Sequence, residues 1–223
     1  MVIRQRAVLA EDKQERHHAI LDAAERLLAR SPARVANVAE VADEAGLAKG
    51  TVYLYFPSKE ELLLAAHERQ ADEFFSALTA RLAQDAPVTL DELVTLTQEH
   101  IVARATFLPL ATRCLGMMAT EVPVETAGAF HTRMHERLQA AGAGLERHYP
   151  ELAAGEGVPL LRRSFALIVG LWQLSFAHSR DEPGTCGMGP ADFPDELAQA
   201  LRALWEGTIG RSRAQAGAAE ARP

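Results

Sequence analysis

At 223 residues, 48% of them hydrophobic, the chain is long enough to fill one large or two modest cores and should fold unaided. The net charge of −7 argues against a protein coated in nucleic acid, but residues 1–60 hold nine basic and nine acidic groups, so the whole acidic excess falls on residues 61–223. Two widely spaced cysteines, Cys114 and Cys186, make neither a disulfide framework nor a zinc ribbon. No apolar run reaches the length of a membrane span, and the opening MVIRQRAVLAEDKQER lacks a signal-peptide core, so the expected location is a reducing cytoplasm with no membrane contact.

In chain order, residues 1 to about 12 read as a short arm carrying Arg4 and Arg6, either a frayed terminus or an arginine arm for a minor groove. A helix is predicted over 14–30, with Ile20, Leu21, Ala24, Leu27 and Leu28 on one face. Ser31-Pro32 ends it, because the residue before proline avoids helical geometry. His17-His18 reads as a solvated helix start.

The segment Asn37 to Lys59, NVAEVADEAGLAKGTVYLYFPSK, organises the rest. Val38, Val41, Ala42 and Ala45 fall at i, i+3, i+4 and i+7, one apolar stripe on a short helix. Asn37 and Glu40 have the spacing of a capping box, and Gly46 can take the left-handed geometry that ends a helix. A second helix over 49–56 turns Val52 and Phe56 inward and leaves Lys49, Thr51, Tyr53 and Tyr55 with donors elsewhere on its surface. Two short helices joined by a glycine-containing turn form a helix-turn-helix.

The runs HAILDAAERLLAR and VAEVADEAGLAKGTVYLYFPSKEELL, spanning roughly residues 14 to 65, resemble the amino-terminal domain of TetR-type transcriptional repressors. The resemblance implies that Lys49, Gly50 and Thr51 lie at the mouth of a DNA major groove and that Tyr53, Tyr55 and Lys59 hold phosphates. Phenol and ammonium donors suit phosphate oxygens, and a glycine lets backbone approach closely. One position departs from the family pattern: Ala48 stands where Ser or Thr often precedes the recognition helix, so a side-chain cap is missing.

Ser58-x-x-Glu61 then opens a long helix whose stripe of Ala71, Phe74, Phe75, Leu78 and Leu82 runs to Asp85-Ala86-Pro87. Some 26 residues at about 1.5 Å each make roughly 39 Å, long enough for a rod that carries movement to the DNA-reading head, the logic of induction in TetR-like proteins. Thr89-x-x-Glu92 caps a helix predicted to reach Pro109, and a shorter one follows over 110–118. From about 124 to 147 the pattern is helical again, with Gly142 and Gly144 costing roughly 1 kcal/mol each. A loop over 153–158 precedes an apolar helix over 159–178; residues 180–190 read as a flexible loop. A last helix over about 192–209 precedes a tail, 211–223, expected to be disordered. No strand-like alternation appears.

A single recognition helix touches only a few base pairs, so a homodimer on an inverted-repeat operator of double-stranded DNA is expected. By the family's four-helix interface, Phe176, Leu197, Leu201, Leu204 and Trp205 are the dimer candidates; Trp172 and Trp205 serve equally well as the protomer's own core. Phe107, Cys114, Met117, Met118, Phe130, His131, Met134, Phe165 and Trp172 are candidates for lining a pocket for a small, apolar effector, because methionine and aromatic side chains repack around irregular ligands. His131 and His135 have metal-ligand spacing, with Glu136 and His178 nearby, but no third ligand is fixed. Neither a metal nor a cofactor is therefore assigned, and no catalytic motif emerges.

The sequence thus points to an all-α chain with a three-helix DNA-binding domain over 1–60 and a helical ligand-binding and dimerisation domain over 61–210. It reads as a non-enzymatic repressor released from its operator by a small molecule. The competing reading is a helical small-molecule-binding protein or enzyme on the same scaffold that does not bind DNA.

Overall fold

In the computed structural model the backbone is described for residues 2–31, 34–176, 189 and 191–220, and the side chains for 12–31, 34–175, 189 and 191–211. Among the described residues there are nine α-helices, one π-helical turn and no strand, so the fold is all-α. The helices are α1 (Val2–Arg30), α2 (Val38–Ala45), α3 (Lys49–Tyr55), α4 (Lys59–Leu82), α5 (Leu90–Thr97), α6 (Phe107–Met117), α7 (Val124–His148), α8 (Gly157–Phe176) and α9 (Phe193–Glu220). The chain divides into two compact units. One comprises Met1–Gln70 with Ala105–Gly128, the other Ala71–Arg104 with Ala129–Pro223, and α4 contributes residues to both.

In the first unit α1 packs on α2 and α2 on α3. Ile20, Leu21, Ala24 and Leu28 of α1, Val38, Val41 and Ala42 of α2, and Val52 and Phe56 are all buried. Each Val, Leu, Ile or Phe removed from water in this way contributes roughly 1.5–3 kcal/mol. Ion pairs tie the helices together at their edges. Arg26 Nε lies 2.8 Å from Glu44 Oε1, Arg30 reaches the same carboxylate, and Arg69 on α4 meets Asp22 at 2.6 Å and Glu25 at 2.8 Å. The backbone is already helical at Val2, where the sequence suggested an arm. Residues 2–13 contain no proline or glycine, and extending an existing helix avoids the cost of nucleation. The side chains of Arg4 and Arg6 lie outside the described residues.

The second unit is built on Leu78, Leu82, Val88, Leu93, Ala141, Leu145, Leu152, Leu160, Leu161 and Trp205. Gly142 and Gly157 let α7 and α8 meet backbone to backbone. A Cβ on Gly157 would lie 2.3 Å from the Gly142 carbonyl oxygen, and one on Gly142 would lie 2.9 Å from the Val158 nitrogen. Gly144 is similarly close to Leu82, at 3.0 Å. The helix propensity lost at these glycines is thus exchanged for close packing.

The helix predicted to reach Pro109 stops earlier. After α5 comes a π turn, Gln98–Val102, and α6 starts at Phe107. Pro109 sits in the first turn of α6, where its missing N–H leaves no intrahelical bond unmade. At the other end α9 continues through Glu220, overlapping the stretch the sequence suggested as a tail. Ala214, Ala216, Ala218 and Ala219 there are the strongest helix formers. Most of the predicted 180–190 loop, with His178 and Cys186, falls outside the described residues.

Candidate nucleic-acid interface

Local chemistry sets the reading head. Asn37 Oδ1 accepts from the Ala39 and Glu40 backbone N–H groups at 2.9 and 3.0 Å, and Glu40 Oε2 accepts from Asn37 N–H at 2.8 Å, completing the capping box. Glu40 also bonds Arg34, and that bond together with the Asn37 N–H holds its carboxyl below the usual range. Gly46 closes α2 at φ 67°, and its backbone N–H donates to Ala42 and Asp43 carbonyls. Only glycine adopts this conformation without strain.

The chain then enters α3 from Ala48, which is extended (φ −69°, ψ 142°) and offers no side-chain cap, as its methyl group requires. Val52 is fully buried and Phe56 nearly so, and these two fix the rotation of the helix. Lys49, Gly50, Tyr53 and Leu54 are exposed, while Thr51 and Tyr55 are half-buried at the flanks. Lys49 Nζ rests 5.8 Å from the Tyr53 ring centroid, a cation–π contact that holds an ammonium and a phenol together. A Cβ built on Gly50 meets nothing within 4 Å, so the surface beside it is open. Lys59 begins α4 with Nζ 3.7 Å from Glu60, and Ser58 caps that helix through its hydroxyl at 3.1 Å from Glu61 N.

His17 is more than a solvated helix start. Its ring lies 4.9 Å from Phe56 and 6.4 Å from Tyr55, wedging α1 against the end of α3. Burial, with the neighbouring His18, Arg69 and Lys13 charges, pushes its pKa down and favours neutral imidazole. Leu54 was also not singled out by sequence, yet it is 84% exposed, against 43% for Tyr53 beside it. The signal was present: Leu54 stands two residues from both Val52 and Phe56, about 200° around the helix and hence on its outward side.

The pocket candidates divide between the two units. In the first, Phe107, Cys114 and Met117 are buried and Met118 is half-buried. The Phe107 ring meets His67 edge-on at 5.4 Å, and Cys114 Sγ lies 3.8 Å from the Leu63 carbonyl. Burial lifts the Cys114 thiol to about 12, making it an inert packing group. In the second unit Phe130 is buried, Met134, Phe165 and Trp172 are half-buried, and His131 is exposed. No cluster of three or more metal-ligating side chains occurs among the described residues. The sequence reading overlooked His67 and Gln70, which are buried on α4 although their spacing from Leu63 and Phe74 follows a helical face. Gln70 Nε2 donates to Thr106 Oγ1 at 2.9 Å. Burial depresses the His67 pKa to about 4, with the Glu68 charge opposing it.

Of the dimer candidates, Leu197, Leu201 and Trp205 are buried within the protomer, and Trp205 Nε1 donates to Ser164 Oγ at 2.9 Å. The indole N–H of Trp205 thus finds a buried acceptor inside the protomer. Leu204 is partly buried against the same core, and the Phe176 side chain is outside the described residues. The outward face of α9 instead presents Gln199 and Glu206 beside three small residues, Ala203, Gly207 and Gly210, at i, i+4 and i+7.

Comparison with known proteins returns the same family for both parts of the chain. The family described as bacterial regulatory proteins of the tetR family matches residues 20–66, and the tetracyclin repressor-like carboxy-terminal domain matches residues 68–212. The HTH-type transcriptional regulator EthR of Mycobacterium tuberculosis is 29% identical over 153 residues, covering 69% of this chain and 70% of EthR. The fatty acid metabolism regulator protein of Bacillus subtilis is 29% identical over 76 residues, which are 34% of this chain. The chain spans only 39% of that relative's length. Among solved structures, the fatty acid degradation regulator FadR from Bacillus halodurans superposes with a TM-score of 0.55 at 19% identity, covering 82% of this chain and 96% of FadR. A tetR-family regulator from Streptomyces coelicolor gives 0.54 at 21%, covering 92% and 89%. At such identities the likeness is one of fold. No helix among the described residues is long and apolar enough to cross a membrane.

Proposed function

Because this chain belongs to the TetR family of transcriptional regulators, we propose that it is a ligand-responsive repressor that binds an inverted-repeat operator as a homodimer and leaves it when a small apolar molecule binds. In this reading residues 1–60 read DNA, and residues 61–210 dimerise and take the ligand. The observation that carries it is the outward face of α3: two buried anchors turn Lys49, Gly50, Tyr53 and Leu54 to solvent, with Thr51, Tyr55 and Lys59 at its margins. Side chains that donate to phosphate flank a glycine with open space beside it, the arrangement a groove-binding helix needs.

Dimerisation is supported by the exposed small residues of α9, Ala203, Gly207 and Gly210, on a helix that packs beside α8 and there permits close helix approach. Release is a population shift: ligand prefers a conformation with weaker operator affinity, and by linkage operator DNA weakens ligand binding by the same factor, about 5- to 150-fold for ordinary coupling. The route proposed for this coupling is α4, which contributes residues to both units. One relative is named for fatty acid metabolism, so fatty acids head the effector screen.

A gel shift with duplex DNA flanking the protein's own coding region tests the reading, with sedimentation in parallel. Specific retardation by a dimer, relieved by a ligand that also raises the melting temperature, is the expected result. A monomer at micromolar concentration that ignores every duplex at low salt refutes it.

A further inference from the structure

Resting on the DNA-binding reading above, we propose that Leu54 recognises the C5 methyl group of a thymine in each operator half-site, and so fixes sequence preference at that base pair. Leu54 is 84% exposed, an unfavourable state for an isobutyl group that its helix has no internal need to adopt. Val52 at 0% and Phe56 at 4% exposure lock α3 so that Leu54 lies at the centre of the outward face, flanked by Gly50 one turn earlier and by Thr51. Gly50 brings no side chain, and a Cβ there would meet nothing within 4 Å, so the helix backbone is unobstructed beside the exposed Leu54 side chain.

The neighbouring groups choose the occupant. Lys49 and Tyr53, paired at 5.8 Å, place cationic and phenolic donors on the same exposed surface, which suits a polyanion and not an apolar protein partner. Leucine has no donor or acceptor to offer a base edge. The one apolar feature on the major-groove edges of the four bases is the thymine methyl, so a leucine driven into that groove gains most where a thymine faces it.

The test starts from duplexes selected out of a random pool by the full-length protein, with each thymine of the selected site replaced in turn by deoxyuridine, which lacks only the methyl. At one symmetry-related position per half-site, wild-type affinity falls about fourfold, the factor for one methyl-sized group left in water. Leu54→Ala loses that sensitivity, keeps its melting temperature and keeps the slope of affinity against salt, because no phosphate contact is removed. Uniform indifference of the wild type to deoxyuridine, or undiminished sensitivity in Leu54→Ala, overturns the proposal while leaving DNA binding intact. A Leu54→Ala variant that changes oligomeric state with unchanged base preference overturns it in favour of a protein contact. Failure of the wild type to select any duplex overturns the DNA-binding reading, and this inference with it.

Discussion

Replacing Gly50 by alanine should stabilise the protein and impair its binding to DNA, and the two effects have separate physical origins. Gly50 is the second residue of α3, and an added Cβ meets no atom within 4 Å, so the folded chain incurs no steric cost. Alanine also narrows the unfolded ensemble, and the gain in a helix is about 0.5–1 kcal/mol. For a chain of this size that raises the melting temperature by about 1–4 °C. On DNA the same methyl stands where backbone would approach the groove, and overpacking of that kind costs roughly 1–3 kcal/mol, about a 5- to 150-fold loss of affinity. Thermal melting followed by circular dichroism reads the first effect, and fluorescence anisotropy on an operator duplex reads the second. A lowered melting temperature would refute the open geometry beside Gly50. Unchanged affinity would refute the close approach of α3 to DNA.

Lys59→Ala should weaken binding to all duplexes alike and flatten the salt dependence by about one unit of slope, whereas Lys49→Ala should change which sequences are preferred; competition titrations at several salt concentrations separate the two. Gly157→Ala forces α7 and α8 apart, since its Cβ would sit 2.3 Å from the Gly142 carbonyl oxygen, and should cost about 3 kcal/mol or more in urea unfolding. Ala203→Glu puts a charge on the outward face of α9 and should give a monomer by sedimentation with little change in helicity by circular dichroism. Buried His67 makes the fold acid-sensitive. Above pH 6.5 both folded and unfolded chains hold it neutral; below that the unfolded chain takes up a proton that the folded one refuses until about pH 4. Stability should therefore fall as pH drops through that window, by a total on the order of 3 kcal/mol, and His67→Gln should remove this share of the pH dependence in urea titrations.

The helix-turn-helix was legible because everything that builds it is local. Asn37, Glu40, Gly46, Val52 and Phe56 lie within twenty residues, and caps, a left-handed turn and an i, i+4 pair act at that range whatever the rest of the chain does. The Thr89–Glu92 cap was readable for the same reason. Pro109 misled because a proline marks a helix boundary without saying on which side the helix lies, and here it opens α6.

Sequence by itself therefore determined the all-α class, the capped reading head and its family resemblance, since short-range hydrogen bonds and backbone preferences are written in consecutive residues. Outside the reading head, tertiary structure alone decided which side chains turn inward. Trp205 is enclosed because Ser164 and the α7 and α8 side chains meet it there, and Leu201 is buried one turn before it. His67 and Gln70 are buried because α6 and its preceding turn cover them. Gly142 and Gly157, which as propensities only weaken helices, became a crossing point, because the benefit of an absent side chain exists only when a second backbone arrives to occupy its space.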